Sequence, residues 1–124
     1  MEWEKFTQPR KNNSDKTYAA LNREGRIYLN RIAHEKLGRP EFVELFFDRR
    51  MSVIGIAAST ESKNSAIPVR AKEKRTSLGR VIYASDFCKH FKIRPTGTIA
   101  FHDVSIDKEG IMNLNLSQAI EIKR

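Results

Sequence analysis

The chain has 124 residues, with 23 Lys+Arg against 15 Asp+Glu and a formal net charge of +8. That length supports one domain or two very small ones, and no apolar run approaches the roughly 20 residues of a membrane-spanning helix. Hydrophobic residues at 40% supply a modest core, which excludes a wholly disordered chain. The start, Met1-Glu2-Trp3-Glu4-Lys5-Phe6, has no apolar h-region, and the single cysteine, Cys88, has no partner for an internal disulfide. Both features lead us to expect a cytoplasmic protein.

Residues 1–17 read as a flexible basic N-terminal arm with Pro9, Asn12, Asn13 and Ser14. Trp3 and Phe6 are its apolar residues, suited to pinning it onto the body. A first unit covers 18–58. Tyr18 to Leu21 is a short extended segment, Asn22-Arg23-Glu24-Gly25 a turn, and Arg26 to Leu29 a strand. Asn30 is a good N-cap for a helix over Arg31 to Leu37, which Gly38 ends. Glu41 to Phe47 and Met51 to Ala57 form a β-hairpin around Asp48-Arg49-Arg50.

Residues 59–77 are a basic connection with a short strand, Ala66 to Arg70, that Pro68 marks as a sheet edge. A second unit covers 78–124. Leu78-Gly79-Arg80 reads as a turn before Val81 to Tyr83, and Ser85 or Asp86 caps a helix ending near Phe91 and Lys92. Thr98 to Asp103 and Ile111 to Leu116 are expected to form a second hairpin around Asp107-Lys108-Glu109-Gly110. The tail from Ser117 adds either a helical turn or further strand.

The two units share one order: turn, strand, short helix, hairpin. Gly25-Arg26-Ile27 recurs as Gly79-Arg80-Val81. Neither unit can close a core alone, so they are expected to pack together within one chain or across a homo-oligomer.

The run Gly25-Arg26-Ile27-Tyr28-Leu29, the helix through Lys36-Leu37-Gly38 and the hairpin Val43 to Ile56 resemble the AbrB/MraZ-type swapped-hairpin transcription regulators. The resemblance implies a small β-barrel of two interleaved strand-helix-hairpin units, mainly β with short helices (α+β). It also implies DNA contact through arginines at the Gly-Arg turns, here Arg26 and Arg80. Two departures stand out. Asn30 and Ala84 occupy the place of the family's proline, and His34-Glu35 and Cys88-Lys89 replace its basic pair.

Residues 61–80 carry six basic and two acidic side chains, half the chain's excess charge. A solvated linker and a polyanion contact are both open readings. The DNA-contact candidates are Arg23, Arg26, Arg31, Arg70, Lys72, Lys74, Arg75 and Arg80. Arginine and lysine neutralise phosphates, and arginine also reads guanine edges. His34, His90 and His102 lack metal-ligand spacing with Cys88, and no serine elbow or Walker loop is present. We therefore expect no metal, no cofactor and no catalysis. The expected activity is sequence-preferring duplex DNA binding by a transcriptional regulator. A protein-interaction module is the alternative. Single-strand binding needs exposed aromatics, whereas Phe42, Phe46, Phe47, Phe87, Phe91 and Phe101 read as core.

Overall fold

The computed structural model describes residues 4, 16–60, 65–71, 79–102 and 104–122. The rest of the arm, with Trp3 and Phe6, lies outside the described residues, as does most of the basic connection. The described residues are mainly β with two short helices. Its strands are β1 (Tyr18–Leu21), β2 (Arg26–Asn30), β3 (Phe42–Asp48), β4 (Val53–Ser59), β5 (Ile67–Ala71), β6 (Gly79–Tyr83), β7 (Thr98–His102), β8 (Ser105–Ile106), β9 (Ile111–Asn115) and β10 (Ile120–Ile122). Helix α1 is Arg31–Lys36 and helix α2 is Ser85–Phe91. One 3₁₀ turn, Leu116–Gln118, precedes β10, so the tail forms both a turn and a strand.

Two hairpins use one local device. In Asn22-Arg23-Glu24-Gly25, the Asn22 Oδ1 accepts from the N–H groups of Glu24 and Arg26 at 3.0 and 2.9 Å. In Asp107-Lys108-Glu109-Gly110, the Asp107 Oδ1 accepts from Glu109 and Ile111 at 2.9 and 3.0 Å. Gly25 and Gly110 close these turns at φ +80° and +81°, where a Cβ is disfavoured. The backbone donations from Ile111 and Glu109 hold the Asp107 carboxyl below its ordinary range.

Asn30 caps α1 by accepting from the Ala33 N–H at 2.8 Å, and its amide donates to Lys16 O at 2.8 Å, tying the chain before β1 to the helix start. At α2 no side chain caps the start. Buried Ala84 occupies the N-cap position, and its N–H donates to Gly25 O at 2.8 Å. Neither Ser85 nor Asp86 is therefore the cap.

The strands join in the order β10-β7-β1-β2-β6-β5-β3-β4-β9-β8, and the sheet curls. The units interleave: β6 pairs with β2, β7 with β1, and β9 with β4. Strand β5 lies inside the sheet and not at its edge. It pairs with β3 at Ile67 and Pro68, then with β6 from Val69 to Ala71. Pro68 sits where the strand changes partner, so its missing N–H breaks neither ladder's centre. The second hairpin also differs from expectation. Strand β7 pairs with β1 and β10, and β9 pairs with β4 and β8. The open positions beside β1 and β4 draw the two strands apart.

Alternation along each strand separates an inner face from an outer one. Leu21, Ile27, Leu29, Val43, Ile54, Ile56, Ile82, Met112 and Leu114 fill the inner face, each less than 2% exposed. Burying each contributes about 1.5–3 kcal/mol, against about 1 kcal/mol or less for an exposed ion pair such as Arg31–Glu35. Phe47 on β3 meets Phe87 and Phe91 of α2 at centroid distances of 6.4 and 5.2 Å, which fastens that helix to the core.

The Gly-Arg match, an offset of 54 residues, does not preserve strand faces, whereas an offset of 55 about the Ile27–Ile82 pair does. An antiparallel strand pair is symmetric about an axis through directly opposed residues, and that axis preserves faces. Ile27 lies directly opposite Ile82. Tyr28 thus corresponds to Tyr83 on the outer face, and buried Leu29 to buried Ala84. The same spacing relates the helix ends: the Leu37 N–H donates to Ala33 O, and the Lys92 N–H to Cys88 O. Gly79 and Arg80, expected in a turn, belong to strand β6.

Candidate functional site

The outer face of β7, β1, β2, β6 and β5 carries the most distinctive side chains of the molecule. Arg26, Tyr28 and Asn30 point outward from β2 because Ile27 and Leu29 point inward. Across the ladder, Tyr83 opposes Arg26 and Val81 opposes Tyr28. On β5, Arg70 opposes Val81 and so shares this face. On β1, Tyr18 and Ala20 do the same, and His102 of β7 opposes Tyr18.

These residues meet. The guanidinium carbons of Arg26 and Arg70 lie 5.2 and 5.6 Å from the Tyr83 ring centroid. Tyr83 remains 48% exposed. Tyr18 contacts Tyr28 edge-on at 6.2 Å and His102 at 5.1 Å. The Tyr28 ring lies over Gly79, where an added Cβ would fall 2.6 Å from Tyr28 Cε1. A glycine at this point is what lets the ring rest on β6. Between the rings is a hollow of about 540 Å³, floored by Ala20, Ala71, Val81 and Thr98. Small floor residues and large wall residues create that depth.

The arginines here are loosely held. Arg26 Nη1 is 3.5 Å from Glu24 Oε2, with side-chain exposures of 51% and 67%. A pair this exposed contributes about 1 kcal/mol or less, and an exposed cation–π contact about 0.5–1 kcal/mol. Charge-assisted bonds to an anion compete readily with both.

The other candidates are scattered. Arg23 is exposed in the β1–β2 turn, beside a separate hollow of about 210 Å³ that also includes Cys88. Arg31 lies on α1, its Nε 3.9 Å from Glu35 Oε1. Lys72, Lys74 and Arg75 lie outside the described residues. Arg80 opposes Leu29, on the inner side of β6. Its Nη1 donates to Gly79 O at 2.9 Å, and its charge reaches His34 of α1. Arg26 and Arg80 are therefore not equivalent positions and do not face the same way. Arg49, at the first hairpin tip, stacks on Phe91 at 5.1 Å.

Burial, with smaller contributions from Arg80 and Arg39, holds the His34 imidazole below its ordinary pKa; Pro40 O and Glu35 oppose this. Its Nε2 lies 3.0 Å from Pro40 O, so neutral His34 donates there. Burial pushes the Cys88 thiol up, away from the reactive thiolate. Among the described residues, no three His, Cys, Asp or Glu side chains gather where a metal ion would be held, and no helix is long and apolar enough to cross a membrane.

The tyrosines were the part of this site that sequence reasoning missed. Tyr18, Tyr28 and Tyr83 sit within apolar strand segments. The signal was the alternation Arg26-Ile27-Tyr28-Leu29, which sends arginine and tyrosine outward together. Phe101 is buried and Phe47 and Phe87 pack on the core, whereas Phe46 is 47% exposed. No family model, curated protein or solved structure matches the chain.

Proposed function

We propose that the protein binds nucleic acid without catalysis, through the Arg26–Tyr83–Arg70 face. The observation that carries this reading is the convergence of two loosely held guanidinium groups on one exposed tyrosine, in a chain of net charge +8. Arginine donors satisfy phosphate oxygens, and aromatic rings accept bases or hold arginines in place. A regulatory role in the cytoplasm is the biological form we infer. The interleaving of β6, β7 and β9 with the first unit supports the AbrB/MraZ-like barrel. The place of Arg26 just after a glycine turn supports DNA contact there; Arg80 contributes none.

The test is fluorescence anisotropy with labelled mixed-sequence DNA, single-stranded and duplex, at about 50 and 200 mM salt. The expected result is micromolar binding at low salt that weakens by roughly tenfold or more at the higher salt. A folded protein that binds neither form at low salt contradicts the reading. A protein-interaction module is then first in line, supported by Phe46 and Met51, 47% and 58% exposed on the β3–β4 hairpin.

A further inference from the structure

We infer that this face takes single-stranded nucleic acid, with bases stacked on Tyr18, Tyr28 and Tyr83 and phosphates held by Arg26 and Arg70. The inference rests on the nucleic-acid reading above and narrows it. The four aromatic side chains lie on four adjacent strands, in the order His102 on β7, Tyr18 on β1, Tyr28 on β2 and Tyr83 on β6. At about 4.8 Å per strand this staircase crosses about 14 Å of sheet. Arg70 follows on β5, and Arg26 lies directly across from Tyr83. Both cations flank Tyr83 at one end of the row of rings, which sets phosphate-binding groups beside a stacking surface.

Duplex DNA fits this face poorly. Its bases are stacked on one another and present only their edges in the grooves. A face of five or more paired strands is about 20 Å wide, whereas the major groove is about 12 Å wide. Unstacked bases, by contrast, come to the sheet with their faces free. The hollow of about 540 Å³ beside Tyr28 and Tyr83 supplies room for them.

The test compares labelled oligo-dT, oligo-rU and mixed-sequence duplex, each of about 15 nucleotides, near the upper site size of a small fold. Each is titrated into the wild type and into Tyr83→Leu and Tyr83→Phe. Tyr83 is half exposed, and circular dichroism checks that both variants fold. We expect single strands to bind roughly tenfold tighter than duplex, and Tyr83→Leu to weaken single-strand binding about tenfold. Tyr83→Phe keeps the ring and stays within about twofold of wild type. A preference for either single strand over duplex, lost in Tyr83→Leu, supports the proposal. Equal binding of duplex and single strands, unmoved by Tyr83→Leu, overturns the stacking and leaves the nucleic-acid reading intact. No binding to any of the three overturns both.

Discussion

Gly25-Arg26 and Gly79-Arg80 are the same dipeptide in two settings. Gly25 closes a turn at φ +80°, and a Cβ there would lie 2.7 Å from the Ser85 Cα. Gly79 lies in a strand and makes room for the Tyr28 ring. Arg26 points outward to Tyr83, while Arg80 lies on the inner side near His34. A shift of one residue along a strand reverses its face, so one matched dipeptide placed two arginines on opposite sides of a sheet. Which face a residue takes has to be read from the opposed pairs, such as Ile27 and Ile82, and not from the residues that match best in sequence.

The largest expected effect on stability separates the two glycines. Gly25→Ala meets backbone and adopts a disfavoured φ, for a loss of about 3 kcal/mol. Gly79→Ala meets a side chain that can move, for about 1–2 kcal/mol. Urea unfolding midpoints measure both, and the reverse order would show that the turn is not docked on α2. Next come the two arginines. Arg26→Ala combined with Arg70→Ala should weaken nucleic-acid binding by roughly a hundredfold, about tenfold for each lost charged contact. Arg80→Ala should change it by less than about twofold, because its face carries no part of the site.

His34 sharpens the contrast from the inner side. Its folded pKa is lowered, so the neutral imidazole's contribution to stability is complete above the ordinary value of 6.5. That contribution is lost as pH falls from 6.5 through the lower folded value. Thermal melts from pH 7.5 to 5, a range of about the span over which histidine titrates, should show an acid decline that His34→Gln flattens. Arg80→Ala should make the decline smaller, because loss of the Arg80 charge raises the folded pKa toward 6.5; Arg26→Ala should leave it unchanged. The smallest effect is that of Arg26→Ala on stability itself. Its ion pair and its ring contact are both exposed, and we expect a loss of about 1 kcal/mol or less from urea unfolding.

The locally determined elements were legible in the sequence. Asn22 and Asp107 wrote the same turn, Asn30 wrote the cap of α1, and the apolar run around Asp48 wrote the β3–β4 hairpin. The pairings set by distant neighbours were not. Pro68 read as an edge because nothing local shows that β5 bridges two ladders. Strands β7 and β9 read as a hairpin because the vacant ladder positions beside β1 and β4 belong to the other unit. At the site, Arg26 and Arg70 were legible from charge. The tyrosines were hidden by their apolar neighbours, although the strand alternation already placed them on the arginine face.

The most direct test of the central claim is the salt dependence of single-strand binding by Arg26→Ala and Arg80→Ala, measured side by side. Each phosphate contact contributes about 0.7 to the slope of log affinity against log salt for single strands. The outer-face account predicts that Arg26→Ala flattens the slope by about that amount and that Arg80→Ala leaves it at the wild-type value. Equal flattening in the two variants, both folded, would contradict the account and return the two Gly-Arg arginines to one shared surface.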